Sequence, residues 1–323
     1  MIATESTTNP KQYEDLFHSL AGALQDHLEL NTQVSEDDVR RIAAEVAAEE
    51  VGRARLPRPL SVSVNDGPAV TLTDRTHVQF EQLLALVAEG HRNLLMVGPA
   101  GSGKTTLAKD LSKALGLDFG FISLSAGVTE THLFGRLLPQ ADGTWGYVES
   151  VFVRIYRNGG VFLLDEIDAA DANVMVAINA ALANGELCNP VNGEIVKRHP
   201  QCYIVGAANT WGRGGDHQYV GRNALDAATM DRFVLTTLHV QYDTDLELEL
   251  VRATLSDGQT EELIAWVNGL REKIADNRLR RIASTRLVVN AAAAMLAGQN
   301  LADVKRRYYV DWSRDELAKV AEV

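Results

Sequence analysis

Long apolar runs are missing from this chain. No stretch approaches the ~20 consecutive apolar residues that a membrane-spanning helix needs, so no membrane contact is expected. Met1-Ile2-Ala3-Thr4-Glu5 carries neither a basic nor an apolar leader region, and a secretory signal is not expected either. Cysteine is scarce: Cys188 and Cys202 are the only two. Their spacing fits no metal-ligand pattern, and such scarcity fits a reducing compartment, so a cytoplasmic protein is expected. The two thiols could bridge or could be ordinary core side chains. The eight histidines form no ligand cluster. Positive charge is also short, with 31 basic against 43 acidic residues and a net charge of −12. That opposes direct binding of nucleic acid over the whole surface and leaves room only for a local basic patch. Internal repeats and low-complexity tracts are absent. What remains is an ordinary globular composition: 323 residues, 46% hydrophobic and 23% charged, enough for about two domains and an extension.

The stretch that organises the rest is Gly98-Pro99-Ala100-Gly101-Ser102-Gly103-Lys104-Thr105, followed by Thr106. It fits G-x-x-x-x-G-K-[ST], the phosphate-binding loop. Leu94-Leu95-Met96-Val97 before it reads as a buried strand. Leu107, Ala108, Leu111, Ala114 and Leu115 after it recur at helical spacing. In that context the glycines turn successive N–H groups towards one anion, and the helix N-terminus adds its positive end. Lys104 would reach the β- and γ-phosphates, and Thr105 would offer its hydroxyl to Mg²⁺.

Around this loop the chain reads as α/β. Tyr13, Leu16, Phe17, Leu20, Leu24 and Leu28 predict an amphipathic helix over about 11–30, and Val39, Ile42, Ala43 and Val46 predict a second over about 35–51. These form a helical extension, closed by a linker at 53–59. Ser61–Val64 and Ala69–Leu72 flank Asn65-Asp66-Gly67-Pro68 and predict a small hairpin. A helix with Val78, Leu83, Leu84, Leu86 and Val87 as its apolar face leads into the strand before the loop. Further buried strands are expected at 119–124, 161–164, 202–207 and 233–240. Two inserted hairpins are expected, one around Asp142-Gly143 and one around Asn192-Gly193. Residues 243–323 carry no strand signal and read as a helical lid. The organisation is therefore an extension at 1–60, an α/β nucleotide-binding domain at 61–242 and a lid at 243–323.

Chemistry beyond the loop gathers at strand ends. Leu163-Leu164-Asp165-Glu166 closes one strand. Asp165 is placed for the Mg²⁺ shell, and Glu166 can polarise a water for in-line attack on the γ-phosphate. Asp168 and Asp171 read as surface or helix-start residues. Asn209 closes the next strand and could orient the attacking water. Arg232, in Asp231-Arg232-Phe233, could neutralise charge on the phosphoryl group of its own or a neighbouring site, or simply pair with Asp231. Arg222 is a second candidate for that role. Arg286 opens an apolar lid helix and could meet phosphate when the lid closes. Lys197, Arg198 and His199 could touch an acidic partner or be solvated; Trp145 and Tyr147 could grip a substrate or pack down.

In order and rough spacing, the loop at 98–105, the acidic pair at 165–166, Asn209, Arg232 and Arg286 resemble the AAA+ ATPases, over about residues 75–290. Residues 134–152, 186–202, Gly160–Ala169 and Ala207–Thr210 resemble the MoxR branch, which includes the cobaltochelatase small subunit and dynein-related ATPases. The resemblance implies ATP and Mg²⁺ held by Lys104, Thr105 and Asp165, with Glu166 as base, Asn209 as first sensor and Arg286 as second. It implies that Arg232 is a finger reaching the adjacent subunit of a ring, usually of six. It implies remodelling of a protein client, with a von Willebrand factor A domain protein as the leading partner. A nucleic-acid motor or McrB-like defence NTPase, and a nucleotide-switched structural ring, are the alternatives. The family often has a proline before the lid arginine, where this chain has Thr285.

Overall fold

The computed structural model describes residues 2–6, 60–64, 70–72 and 75–320. The helices expected at 11–30 and 35–51, the linker at 53–59 and the turn at 65–68 lie outside the described residues. Two compact units divide the chain, Ala3–Arg75 and Thr76–Val323. In the N-terminal region β1 (Ile2–Ser6), β2 (Leu60–Val64) and β3 (Val70–Leu72) form a sheet in that order. β2 and β3 are antiparallel with Val62 opposite Val70, as the hairpin pattern predicts.

The second unit starts with α1 (Phe80–Ala88), which buries Phe80, Leu83, Leu84 and Val87. Val78 lies ahead of this helix and is exposed. Next come β4 (Asn93–Val97), α2 (Lys104–Leu115) and β5 (Phe119–Ser123). A short α3 (Glu130–Phe134), the strands β6 (Arg136–Pro139) and β7 (Trp145–Val148), and α4 (Val151–Asn158) follow. Then come β8 (Gly160–Asp165), α5 (Ala172–Asn184), β9 (Glu186–Cys188), β10 (Ile195–Lys197) and β11 (Cys202–Ala208). α6 (Ala227–Asp231) and β12 (Thr237–His239) complete the α/β part.

Five of these strands form one parallel sheet in the order β12-β4-β11-β8-β5. Leu94–Val97 and Gly160–Leu164 are buried along their whole length. A strand covered on both faces needs an unbroken apolar run, which is why these two stood out in the sequence. Phe152 meets Phe162 edge-on at 5.0 Å and locks α4 onto β8. The register sets Ala208 beside Val97 and Gly206 beside Leu164. Consequently Gly98, Asp165 and Asn209 all leave the sheet at its carboxyl edge, where open parallel sheets bind ligands.

The strand expected over 233–240 is confined to Thr237–His239. Phe233–Thr236 instead forms a turn, with Thr236 N–H donating to the Phe233 carbonyl at 3.1 Å and Leu235 at φ 63°. Phe233 supplies the apolar signal because it is a buried anchor beneath the sheet. Both inserted hairpins form, β6 with β7 and β9 with β10. They are tied together by Asn189, whose Nδ2 donates to the Phe134 carbonyl at 3.0 Å and to Tyr147 Oη at 2.7 Å.

Beyond β12 the described residues are helical: α7 (Thr244–Arg252), α8 (Asp257–Asp276), α9 (Thr285–Leu296), α10 (Leu301–Tyr308) and α11 (Arg314–Val320). Trp266, Tyr308, Tyr309 and Trp312 contribute a cluster of edge-on rings to its core, and Trp266 Nε1 donates to Tyr309 Oη at 3.0 Å. Among the described residues no helix is long and apolar enough to cross a membrane.

Candidate functional site

The loop between β4 and α2 owes its shape to three glycines. Gly101 and Gly103 sit at φ 74° and 95°, where side chains are rarely tolerated. A Cβ on Gly98 would stand 1.9 Å from the Val240 carbonyl oxygen, so β4 can leave the sheet beside β12 only with glycine there. Gly103 caps α2 without a side-chain hydrogen bond. The first-turn N–H groups of the helix are therefore directed at the loop's interior. Ser102 Oγ is buried there with no hydrogen-bond partner. These orphaned donors and the helix end fit a phosphate chain.

Lys104 opens α2 and is buried. Its ammonium donates to the carbonyls of Gly98 at 2.7 Å and Pro99 at 2.9 Å, and to Asn209 Oδ1 at 3.0 Å. Burial pulls its pKa from 10.5 down to about 8, against the opposing influence of Asp165 and Asp168. Arg222 and Arg286 push in the same direction as burial, which places both cations in the field of this lysine. Thr105 Oγ1 donates to Asp165 Oδ2 at 3.2 Å. Lys104, Thr105, Asp165 and Asn209 thus form one constellation drawn from three neighbouring strands. Among the described residues no group of three or more His, Cys, Asp or Glu side chains could hold a metal alone. Mg²⁺ does not need one: it is commonly held by one or two protein oxygens together with substrate phosphates, and Thr105 with Asp165 fits that pattern.

Glu166 follows Asp165 in the left-handed region, φ 55° and ψ 42°, a conformation uncommon for a non-glycine residue and frequent at functional sites. Its carboxylate accepts from Arg222 at 3.1 Å. Arg222 also lies 3.6 Å from Asp168, which is fully buried. Asp168 Oδ2 accepts from the N–H groups of Asn209 and Thr210, at 3.1 and 2.9 Å, and from Thr210 Oγ1 at 2.9 Å. The expectation of a surface or helix-start role for Asp168 is corrected: this carboxylate is a buried clamp that sets where Asn209 leaves β11. Asp171 does cap α5, accepting from Asn173 N–H at 2.9 Å.

Arg286, in the first turn of α9, reaches the phosphate loop: its Cγ is 3.9 Å from where a Cβ on Gly101 would be. Arg232 does not join the site. It lines a 220 Å³ cavity with Arg92 and Asn93, at the start of β4 and so at the opposite end of the sheet from the loop. There it pairs with Asp231 at 3.2 Å, while its Nε is buried without a partner. Arg198 is neither solvated nor free for a partner, since it donates to Asn93 Oδ1 at 2.7 Å and to the Arg92 carbonyl at 2.8 Å. Trp145 is exposed, whereas Tyr147 packs down and donates to the Phe134 carbonyl at 2.6 Å. Cys188 is exposed and Cys202 buried, both as free thiols.

Two tyrosines hold the loop in ways the sequence did not suggest. Ala100 N–H donates to Tyr219 Oη at 2.9 Å, and Tyr242 Oη donates to the Ala100 carbonyl at 3.0 Å. Burial raises the pKa of both phenols, keeping them neutral for this role. The Arg271 guanidinium stacks 4.0 Å from the centre of the Tyr242 ring. It also forms a two-pronged pair with Glu247 at 2.6 and 2.8 Å, so the lid fixes this contact. A 370 Å³ cavity lined by Pro99, Tyr219, Tyr242 and Arg278 lies on this side, away from Lys104 and Asp165. A lone tyrosine in a loop carries no periodic signal, which is why Tyr219 was not foreseen.

The family model of the AAA domain, dynein-related subfamily, matches residues 93–233. A Staphylococcus epidermidis protein described as uncharacterized is 29% identical over 232 residues, which is 70% of this chain and 82% of that protein. A Staphylococcus aureus protein, likewise uncharacterized, is 27% identical over 190 residues, or 56% of this chain and 69% of its own length. Among solved structures, NtrX from Brucella abortus in complex with ADP is similar with a TM-score of 0.48 at 14% identity, covering 84% of this chain and 60% of NtrX.

Proposed function

We propose that this chain, whose residues 93–233 match the AAA domain of the dynein-related subfamily, is an AAA+ ATPase that hydrolyses ATP in a Mg²⁺-dependent manner at Lys104, Thr105, Asp165, Glu166 and Asn209. The observation that carries the reading is the convergence at the sheet's carboxyl edge. Lys104 Nζ lies 3.0 Å from Asn209 and Thr105 Oγ1 lies 3.2 Å from Asp165, beneath a glycine loop that leads into the N-terminus of α2. In this reading the N–H groups of residues 101–106 and Lys104 hold the β- and γ-phosphates, and Lys104 exchanges a carbonyl for a phosphate oxygen. Glu166 accepts the proton of the attacking water, Asn209 orients that water, and Arg286 contacts phosphate from the lid. Thr105 and Asp165 would hold Mg²⁺, which when bound would supply charge to neutralise the phosphate oxygens.

The finer proposal is a ring of this chain, six subunits by family likeness, with Arg232 serving the adjacent subunit. The domain division at 60/61 and 242/243 and a cytoplasmic setting belong to the same proposal. Its work would be the remodelling of a protein client, with a von Willebrand factor A domain protein as partner. Support comes from the hairpins at 136–148 and 186–197, which carry exposed Leu137, Leu138, Trp145 and Ile195. Phosphate release from ATP tests the core of this reading. Hydrolysis is expected in wild type, loss of nucleotide binding in Lys104→Ala, and retained binding with at least about 10²-fold slower turnover in Glu166→Gln. Wild-type protein that binds ATP but releases no phosphate, with or without Mg²⁺, would refute it.

A further inference from the structure

The segment between β11 and α6 is a closed loop. Its neck is fastened by a bridge between Arg213 and Ala224 and by Leu225 N–H donating to the Gly212 carbonyl at 2.9 Å. Its tip is braced by Asp216, whose Oδ1 accepts from Gln218 and Tyr219 N–H at 2.8 and 2.7 Å. The loop touches three functional parts of the second unit. Tyr219 accepts from the phosphate loop at Ala100, and Gln218 Nε2 donates to the lid carbonyl of Arg281 at 3.1 Å. Arg222 reaches Glu166 at 3.1 Å, and Asn223 anchors the same stretch through the Asp168 carbonyl at 2.7 Å and the Ala170 carbonyl at 2.9 Å.

We propose that Arg222 is the positioning residue of Glu166, acting within its own chain. Three facts argue for it. The guanidinium is mostly buried, with 14% of its side chain exposed, whereas the Glu166 side chain is 43% exposed. The arginine is thus the enclosed partner and the glutamate the solvent-facing one. Arg222 is held in place by Asp168, whose Oδ1 has no hydrogen-bond partner and faces the guanidinium at 3.6 Å. Asp168 in turn fixes Asn209, so one buried carboxylate sets both the water-orienting amide and, through Arg222, the base. Finally, Glu166 sits on a left-handed turn, and among the described residues Arg222 is the one side chain paired with its carboxylate. Its carboxylate direction is therefore set by this one ion pair. Charge-assisted pairs to arginine are directional enough to do that.

The inference rests on the ATPase reading, and the experiment separates the two. Turnover and ATP affinity are measured for wild type, Arg222→Ala, Arg222→Lys, Glu166→Gln and the double variant Arg222→Ala/Glu166→Gln. A positioning role predicts that Arg222→Ala lowers kcat by about 10–100-fold, as displacement of a catalytic group does. KM for ATP stays within about twofold, Arg222→Lys recovers part of the rate, and the double variant is no slower than Glu166→Gln alone. Mixing Arg222→Ala subunits with Glu166→Gln subunits should restore nothing, since both defects fall in one chain's site. Losses that multiply in the double variant, a defect in KM alone, unchanged kcat in Arg222→Ala, or activity regained on mixing would each overturn the proposal. A wild-type protein without ATPase activity would instead sink the underlying reading. ATP binding by Arg222→Ala, measured by calorimetry, establishes that the variant is folded.

Discussion

Lys104 and Asn209, 105 positions apart in the chain, meet at 3.0 Å across the carboxyl edge of the sheet. The contact uses one of three ammonium donors, and two loop carbonyls take the others. Lys104 is therefore a saturated, buried cation whose neighbours include two arginines. A triphosphate bound there would compete with a neutral carbonyl, not with a carboxylate.

That setting gives a pH dependence with a definite sign. The folded pKa of Lys104 is about 8, below the ordinary 10.5. Between these values the unfolded chain holds a proton that the folded chain has shed. Raising the pH through this window therefore adds stability from this group, and below about pH 8 that gain is absent. Nucleotide binding runs the other way. Phosphate favours the charged lysine, so ATP binding above about pH 8 should take up protons and weaken as the pH climbs. Titration calorimetry at pH 8.5 in two buffers of different ionisation heat measures this directly. Equal heats in the two buffers would show that Lys104 does not gain a proton on binding.

Asp168 offers a stability test. Asp168→Ala strips the partner from the buried Thr210 N–H, the part-buried Asn209 N–H and the Thr210 hydroxyl, and it leaves Arg222 without its buried counter-charge. Each buried donor left unpaired costs about 1–3 kcal/mol, so a total loss of roughly 2–5 kcal/mol is expected. In differential scanning calorimetry that reads as a melting point lower by about 5–15 °C. Asp171→Ala, which removes only a helix cap, should cost about 1 kcal/mol. A melting point in Asp168→Ala equal to that of Asp171→Ala would mean that the Asp168 network carries no special weight.

The contrast between those two aspartates shows what was legible in the sequence and what was not. Buried parallel strands announce themselves as apolar runs, and the glycine loop announces itself because Gly98, Gly101 and Gly103 meet backbone demands no other residue satisfies. Asp165, Glu166 and Asn209 were found because they end such strands. Asp168 looked like one more residue of an acidic turn. Its burial depends on Asn209 and Thr210 arriving from β11, a contact 41 to 42 positions away that no local pattern encodes. Arg222 was named as a candidate to neutralise phosphoryl charge, but its partners in the acidic turn were hidden for the same reason, as was Tyr219 with its partner in the phosphate loop. The fifth strand is present but shorter than its apolar run: Phe233 is apolar because it anchors a turn, and hydrophobicity alone does not separate an anchor from a strand.

Arg232 carries the sharpest test of assembly. It lies at the opposite end of β4 from the phosphate loop, so it cannot serve Lys104 of its own chain without rearrangement of the sheet. Its ion pair with Asp231 spans 3.2 Å, and the Asp231 side chain is 70% exposed. Such a pair is worth at most about 1 kcal/mol and is readily exchanged for a phosphate oxygen. If that oxygen belongs to a neighbouring copy, Arg232→Ala should slow hydrolysis by about 10³-fold or more while leaving ATP affinity of the isolated chain intact. Subunits carrying Arg232→Ala should regain activity when mixed with Glu166→Gln subunits, because some junctions then pair an intact glutamate with an intact arginine. Arg222→Ala should show no such rescue. The two arginines thus separate by one measurement, the rate of phosphate release from mixed subunits. A mixture no faster than the sum of its parts would place Arg232 outside any shared site and leave the ring without its catalytic rationale.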